Sequence, residues 1–246
     1  MFVSNAVPDQ VVILCPGPGE ADPRVPPALL HVGGVPFLRH VLASIKRNRI
    51  ADVILVTAAG GAAIEKAIGD GRSFGLRLRY FHDPEGRHGS GGALREIEAM
   101  LRPSFFVLAG DRYLLIDFEA VGAAFVQHGL PSLMTVWRSI EPLQPANCLL
   151  GKDDDGRPIV ARYHHDARQG MRHAEYGVSV LRDDLLSLIP DGYSPIEALH
   201  QRNALKRRIA AYEASRRFYD VSNPNGLREL RDALLSGAAP SHIHLL

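Results

Sequence analysis

A glycine-rich turn directly behind an apolar run is the first segment of this 246-residue chain that could do chemistry. Residues 11–15 are apolar and lead into the turn CPGPGEADPRVPP, residues 15–27. Glycines let a backbone approach a phosphate closely and turn its N–H groups toward the anion. A phosphate loop usually also supplies a cation, whereas the first charged residues here are Glu20 and Asp22. Three interpretations stay open: a phosphate loop, a phosphate loop that has lost its function, or an ordinary turn.

Two more candidates follow later apolar runs. The turn HGSGG, residues 88–92, contains Ser90, and the run SFFVLAG ends at Asp111. Ser90 could equally be the N-cap of a helix that begins there, and an aspartate at a strand end is as often a turn former as a ligand. All three candidates nevertheless stand where a predicted strand ends. In parallel α/β sheets, ligands bind beyond the carboxyl ends of the strands, so this coincidence points to a site.

The elements that would position these residues alternate between strand and helix in the first half of the chain. Apolar runs and helical periodicity predict strands at residues 11–15, 51–57, 76–82 and 104–111, and helices at 36–48, 62–71 and 91–101. Continuous apolar strands separated by helices indicate a parallel sheet with helices on both faces. The sequence therefore predicts an α/β fold.

The second half of the chain is less regular. The patterns predict helices at 117–129, 183–189, 194–206 and 223–237, strands at 132–138 and 173–181, a hairpin over 148–163 that turns at Asp155 and Gly156, and a closing hairpin of 207–214 with 216–221. No internal repeat, low-complexity linker or composition break marks a boundary. A single domain over residues 1–246, with its core at about 11–235, is the simplest expectation.

Composition restricts the partners. A hydrophobic fraction of 46%, a charged fraction of 22% and a net charge of +1 are ordinary for a globular protein, and they give no electrostatic case for nucleic acid or membrane. The start of the chain has no basic signal-peptide region, and no apolar run reaches the roughly 20 residues of a membrane span. Two distant cysteines form no disulfide framework or metal pair, so the cytoplasm is the expected compartment.

The order of the motifs resembles the sugar-1-phosphate nucleotidyltransferases. The matching features are the strand with its G-x-G loop, the segment VGGVPFL at 32–38, the G-S-G-G-A helix start, the strand ending in Gly-Asp, and the late FYD before a terminal helix. The resemblance spans residues 11–235. It implies a Rossmann-like, three-layer α/β fold with a mixed, mainly parallel sheet of the glycosyltransferase-A type. It also implies that a sugar 1-phosphate attacks the α-phosphorus of a nucleoside triphosphate, with Mg²⁺ bound and pyrophosphate released.

The resemblance also implies roles for individual residues. Matching each family motif to this sequence gives nucleotide-binding roles to Gly17, Gly19, Ser90, Gly91 and Gly92, metal-binding roles to Asp111 and Asp220, and a sugar-pocket role to Glu175, Tyr176 and Gly177. The turn at 90–92 would receive the nucleobase, since side chains there would obstruct a flat ring. Two carboxylates suit a Mg²⁺ ion that also takes phosphate oxygens and water. Asp220 could instead simply help to cap the last helix.

Three cations of the family pattern are missing here. Glu20 and Ala21 stand where the family has Thr-Arg, Pro27 stands where it has a lysine, and ARYHHDARQ, residues 161–169, replaces its E-K-P. Arg24 could take the place of the loop arginine as a catalytic residue, and Arg162 or Arg168 could serve the sugar phosphate, because arginine binds phosphate in a bidentate manner.

The retained aspartates and the missing cations favour different functions. Retention of both metal aspartates favours an active Mg²⁺-dependent enzyme that acts on a nucleoside triphosphate and a sugar 1-phosphate, with a homo-oligomer possible. The missing cations favour a catalytically impaired relative that binds a nucleotide or sugar phosphate, or that acts as a partner subunit. A transferase of the same fold acting on an alcohol phosphate is a third alternative.

Overall fold

A computed structural model describes residues 6–138, 146–166 and 168–243 of the chain. Its strands are β1 Gln10–Cys15, β2 His31–Val32, β3 Val35–Pro36, β4 Asp52–Thr57, β5 Arg77–His82, β6 Ser104–Ala109, β7 Arg112–Tyr113, β8 Ser132–Arg138, β9 Cys148–Lys152, β10 Pro158–Tyr163, β11 His173–Arg182, β12 Ile209–Glu213 and β13 Tyr219–Asp220. Its α-helices are α1 Phe37–Arg47, α2 Gly61–Ile68, α3 Gly89–Glu96, α4 Phe118–His128, α5 Ile196–Leu205 and α6 Pro224–Ser236. Within those described ranges, none of the helices combines the length and the apolar character needed to cross a membrane.

The described chain forms two compact units, unit 1 and unit 2. Unit 1 contains His88–Val107 and Ile116–Arg217, with a short N-terminal piece that ends at Pro8. Unit 2 contains Asp9–Arg87, Leu108–Leu115 and a C-terminal stretch that begins at Phe218. Strand β6 contributes residues to both units. The expectation of one domain stays a prediction.

Unit 2 is built on parallel strands. β1 pairs with β4 from Gln10–Asp52 to Cys15–Thr57, and β4 pairs with β5 as far as Thr57–His82. Every residue of β4 is buried, which explains the continuous apolar run at residues 53–56. Because the strands are parallel and in register, the loop after β1 leaves the sheet at its carboxyl edge.

Unit 1 has a mixed sheet in the order β6-β11-β8-β12-β10-β9. β12 is parallel to β8, whereas β8 is antiparallel to β11, and β9 and β10 form the predicted hairpin. Sheet strands interleaved with helices in both units confirm the predicted α/β, Rossmann-like mixed-sheet fold class.

The predicted closing hairpin of residues 207–214 and 216–221 is wrong. β12 pairs with β8 and β10 in unit 1, whereas β13 pairs with β7 in unit 2, so the two segments never form a ladder with each other. Adjacent alternating segments fit a local hairpin equally well, and sequence spacing does not show that each has a better distant partner. The segment 183–189 is also shorter and tighter than predicted, since it forms a 3-10 helix over Asp183–Leu188.

Candidate functional site

The predicted site residues divide between the two units. Unit 2 holds those predicted to contact the nucleotide phosphates and the metal: Gly17, Gly19, Arg24, Asp111 and Asp220. Unit 1 holds those predicted to contact the nucleobase and the sugar phosphate: Ser90, Gly91, Gly92, Arg162, Glu175, Tyr176 and Gly177.

The loop after β1 is attached to the segment that follows Asp220. The backbone N–H of Ala21 donates to the carbonyl of Ser222 (2.9 Å). A Cβ added at Gly19 would lie 3.1 Å from that same carbonyl oxygen, whereas a Cβ at Gly17 would make an ordinary 3.4 Å contact with Ala59 Cβ. Glycine at position 19 therefore serves the close packing of the loop on Ser222, and position 17 has no comparable restriction.

The charged side chains of the loop after β1 are exposed or half-exposed and make few contacts. The backbone N–H of Arg24 donates to Asp22 Oδ1 (2.8 Å), and its guanidinium Nε lies 3.7 Å from the same oxygen while the side chain stays 88% exposed. Glu20 is exposed as well. Pro27, at the position of the family lysine, is buried and begins a 3-10 helix. Arg24 is thus a cation that can move to meet an anion, but residue 27 cannot offer one.

Asp111 is positioned by the close approach of Gly110 to β1. The N–H of Gly110 donates to Leu14 O (2.8 Å), and a Cβ at Gly110 would lie only 2.6 Å from that oxygen. Asp111 is therefore held near Cys15. Burial raises the pKa of the Cys15 thiol to about 12, and the Asp111 carboxylate adds to this shift. Cys15 is consequently a neutral thiol near the predicted metal aspartate.

Asp220 lies in a tightly hydrogen-bonded turn. Its Oδ1 accepts from Ser222 N (2.9 Å) and Ser222 Oγ (2.5 Å), and its Oδ2 accepts no hydrogen bond from the described residues. The N-cap of α6 is Asn223, whose Oδ1 accepts from Gly226 N (2.8 Å), so the alternative that Asp220 caps this helix is wrong. A Cβ at Gly226 would lie 1.8 Å from Asp220 O, which fixes glycine there.

A short backbone ladder joins the two segments that carry Asp111 and Asp220. Val221 N donates to Asp111 O (2.8 Å), and Asp220 pairs with Arg112. Among the residues that the structure describes, no group of three or more histidine, cysteine, aspartate or glutamate side chains is arranged to hold a metal. A pair of carboxylates still fits Mg²⁺, which usually binds one or two protein carboxylates and takes its other ligands from substrate phosphates and water.

In unit 1, the turn that begins α3 packs on the segment Gly192–Ile196. The N–H groups of Gly91 and Gly92 both donate to Ser194 O (2.8 and 2.9 Å), and Cβ atoms on them would lie 2.9 and 2.7 Å from backbone oxygens of that segment. Ser90 Oγ accepts from Ile196 N (2.9 Å), the first residue of α5. Ser90 is therefore not the N-cap of α3, where His88 stands. Close packing within the protein therefore accounts for glycine at both positions. Their role in binding the nucleobase stays a prediction.

Glu175, Tyr176 and Gly177 lie at an irregularity of β11. Residues 176–178 face the single residue Thr135 of β8, whose hydroxyl donates to Val178 O (2.7 Å) and accepts from Val178 N (3.2 Å). Gly177 has φ +109°, which favours glycine. Tyr176 is fully buried, so its ring belongs to the core. Strand irregularities of this kind are frequent beside active sites, because they redirect side chains.

Glu175 is oriented by two neighbours. Tyr163 OH donates to Glu175 Oε2 (2.8 Å), and Glu175 N donates to Asn147 Oδ1 (2.8 Å). The buried His200 packs edge-on against Tyr163, with 5.6 Å between ring centroids. Burial raises the pKa of Tyr163 well above its usual value, and the Glu175 carboxylate adds to the shift. Tyr163 is therefore a stable hydrogen-bond donor to Glu175.

The predicted sugar-phosphate cations are exposed. Arg162 lies on β10, next to the buried Tyr163, and its side chain points to solvent. Arg168 is exposed as well, and its backbone N–H donates to Ala146 O (3.1 Å). The predicted contact of either arginine with the sugar phosphate stays a prediction.

Sequence reasoning did not select Ser222, Thr135 or Tyr163. Ser222 had a usable local signal, because an Asp followed two residues later by Ser is typical of a side chain that closes its own turn. No local sequence signal pointed to Thr135, because its hydrogen-bond partner Val178 lies 43 positions away.

Comparison with known proteins gives sequence matches over about half of the chain. The family model described as Nucleotidyl transferase matches residues 23–146, slightly more than half of the chain. N-acetylmuramate alpha-1-phosphate uridylyltransferase of Neisseria meningitidis serogroup B is 30% identical over 116 residues, which are 45% of this chain and 50% of that protein. Mannose-1-phosphate guanylyltransferase of Mycobacterium tuberculosis is 36% identical over 108 residues, which are 41% of this chain and 30% of that protein. The matched segments thus span half or less of these relatives.

The fold is similar over a longer stretch. The crystal structure of HddC from Yersinia pseudotuberculosis, complexed with GMP-PN, superimposes with a TM-score of 0.72 at 17% identity and covers 91% of this chain and 98% of that one.

Proposed function

Because this chain belongs to the nucleotidyl transferase family, we propose that it transfers a nucleotidyl group from a nucleoside triphosphate to a sugar 1-phosphate. An oxygen of the sugar phosphate attacks the α-phosphorus, the bond from that phosphorus to the bridging oxygen breaks, and pyrophosphate leaves. The observation that carries this proposal is the backbone hydrogen bond from Val221 N to Asp111 O, because it joins the two segments of unit 2 that carry the aspartates.

The residues of unit 2 act on the triphosphate in this proposal. Asp111 and Asp220 would hold Mg²⁺, which when bound would neutralise charge on phosphate oxygens. The loop around Gly19 brings backbone N–H groups toward the phosphates, and Arg24, which is loosely held, swings from Asp22 to the anion. In a phosphoryl transfer the protein mainly positions the reactants and stabilises charge, so these contacts suffice without a protein nucleophile.

The residues of unit 1 act on the sugar phosphate and the base. Glu175 accepts hydrogen bonds from sugar hydroxyls in an orientation set by Tyr163, and Arg162 meets the phosphate. Uridylyl and guanylyl transfer by the two relatives make UTP and GTP the first nucleotides to assay.

Pyrophosphate release tests this function. The full chain is incubated with Mg²⁺, each of five nucleoside triphosphates and a panel of hexose, hexosamine and heptose 1-phosphates. Release with at least one pair is expected, and Asp220→Asn should lower kcat by about a hundredfold or more. Asp70→Asn is the matched control, because Asp70 Oδ1 accepts from the N–H two residues later (3.0 Å) as Asp220 Oδ1 does, but is remote from the site in sequence.

A second candidate function has its own observation. The buried Pro27 and the exposed Glu20 favour a relative that has lost catalysis and binds a nucleotide or sugar phosphate, or serves as a partner subunit. Silence of the wild-type chain across the whole panel would support that function and contradict the first.

A further inference from the structure

A cavity of about 500 Å³ lies within unit 1. It is lined by Ser90, His165, Tyr193, Pro195, Glu197, Ala198 and Gln201. This volume is within the range of pockets that bind small molecules. Of the predicted site residues, only Ser90 belongs to this lining.

The wall of the cavity is held in place by backbone contacts. Ser90 Oγ accepts from Ile196 N (2.9 Å), and Ser194 N donates to His88 O (2.8 Å). The first turn of α5, which carries Glu197, is thereby fixed to the start of α3. Preformed positions of this kind lower the cost of ordering a ligand.

The lining has the chemistry of a carbohydrate pocket and not of a phosphate pocket. The described lining residues include no lysine or arginine, and the charge they carry comes from Glu197, with His165 Nδ1 3.7 Å from Glu197 Oε1. Tyr193 offers an exposed ring, and Ser90 and Gln201 offer groups that both donate and accept hydrogen bonds. A phosphate would meet a carboxylate here, whereas hydroxyl or ammonium groups would meet an acceptor.

Glu197 of the cavity lining and Glu175 share two neighbours, Tyr163 and His200. Tyr163 donates to Glu175 and is two residues before His165. Burial lowers the pKa of His200, and the Glu175 and Glu197 carboxylates both oppose that shift, so both lie within electrostatic range of this histidine. Glu197 in the cavity lining and the predicted sugar-binding residue Glu175 therefore lie within range of the same histidine.

We propose that this cavity holds the part of the acceptor remote from its phosphate, and that Glu197 selects acceptors with hydroxyl or amino groups over acceptors with a carboxylate. The inference rests on the proposed function, since it names the substrate class of the same reaction. A carboxylate on the acceptor would lie near the Glu197 carboxylate, and the described lining has no lysine or arginine to compensate it, whereas an ammonium group would gain a charged partner.

Selectivity among acceptors tests this proposal. The kcat/KM values for glucose 1-phosphate, glucosamine 1-phosphate and glucuronic acid 1-phosphate are compared in the wild type and in Glu197→Gln. The preference for the neutral and amino sugars over the acidic one should fall about tenfold in the variant, through a gain on the acidic acceptor and a loss on the amino acceptor. The KM of the nucleoside triphosphate should stay unchanged.

A matched control removes general effects of charge. Glu213 is also in unit 1 and also lies near a histidine, with Oε1 3.9 Å from His173 Nε2, but it is on β12 and outside the cavity lining. Glu213→Gln should leave the acceptor ratio as in the wild type. An equal shift in both variants, or no shift in Glu197→Gln, overturns the proposal while the proposed function stands. A shift in nucleotide preference instead would assign the cavity to the nucleotide and overturn the proposal too.

A binding measurement separates this inference from the proposed function. Glucosamine and glucuronate, neither of which carries phosphate, are titrated into the isotope-labelled chain and followed by NMR. Glucosamine should perturb the signals of Tyr193 and Gln201 and glucuronate should not, and Glu197→Gln should abolish the difference. If no acceptor is turned over, the proposed function fails; if neither compound perturbs these signals, the cavity proposal fails.

Discussion

Arg24 is the residue on which the charge balance of the loop depends. Its guanidinium lies 3.7 Å from Asp22 and is 88% exposed, so it can leave Asp22 at little cost. If it meets the triphosphate, Arg24→Ala should raise the KM of the nucleotide about tenfold, because a hydrogen bond to a charged group is worth about 1.5–3 kcal/mol. Steady-state kinetics with the best substrate pair measures this.

Arg72 provides the control for that experiment. It forms a similar exposed pair, with Nε 3.1 Å from Asp70 and 91% exposure, yet it is not predicted to contact substrate. Arg72→Ala should leave the KM unchanged. Equal effects of the two substitutions would show that Arg24 has no particular role.

The reactivity of the Cys15 thiol tests whether the end of β1 is buried. Burial and the nearby Asp111 carboxylate raise the pKa of Cys15 to about 12, so the reactive thiolate is scarce at pH 8. In a Cys148→Ala background, a thiol reagent should label Cys15 only as fast as the protein unfolds, and urea should accelerate labelling steeply. Stoichiometric labelling of the native protein within minutes would contradict the buried position.

Single residues were predictable from sequence where the motif itself carries the geometry. Asp111 follows a glycine that must approach β1, and the pair Gly-Asp at the end of an apolar run was visible in advance. The packing role of Gly91 and Gly92 was not, because the backbone oxygens that exclude a Cβ belong to residues a hundred positions later. Orientation of Glu175 by Tyr163 was hidden for the same reason.

At the scale of elements, the turn between β13 and α6 determines where Asp220 lies. A Cβ at Gly226 would lie 1.8 Å from Asp220 O, so Gly226→Ala must displace the helix or the aspartate. We expect a loss of about 1–3 kcal/mol of unfolding free energy, as for overpacking elsewhere, together with a fall in kcat. Urea denaturation and pyrophosphate release measure the two effects.

The neighbouring Asn225 is the control for this substitution. It is exposed in the same first turn of α6. Asn225→Ala should cost well under 1 kcal/mol and leave kcat unchanged. A tolerated Gly226→Ala, with stability and activity both retained, would contradict the close packing.

Elements were predictable wherever burial is continuous or periodic. The strands of unit 2 and the hairpin of β9 and β10 follow from apolar runs and from a turn with glycine at 156. The hairpin predicted at residues 207–221 was wrong because long-range contacts determine which strands pair. β12 finds β8 and β13 finds β7, and no local pattern records either choice.

At the scale of the whole molecule, buried histidines set the response to acid. Burial lowers the pKa of His40 and of His200 below the usual value of 6.5, so the unfolded chain takes up protons that the folded chain refuses as the pH falls below 6.5. The stability that depends on the neutral forms of these two histidines is therefore fully present above that pH and declines below it. Urea midpoints measured from pH 7.5 to 5.5 should fall steadily.

A variant isolates the contribution of His40. Its Nε2 donates to Val32 O (2.9 Å), and a glutamine amide can make the same hydrogen bond without titrating in this range. His40→Gln should show a smaller loss of stability between pH 7.5 and 5.5 than the wild type, whatever its stability at pH 7.5. Identical pH dependence would rule out His40 as a contributor.

Metal-dependent nucleotide binding tests the central claim most directly. A non-hydrolysable analogue of the preferred nucleoside triphosphate is titrated into the chain by calorimetry, with and without Mg²⁺, and then into Asp111→Asn. The paired aspartates predict binding that requires Mg²⁺ in the wild type and is lost in the variant. Absence of binding, or binding that neither Mg²⁺ nor the substitution changes, would contradict the account.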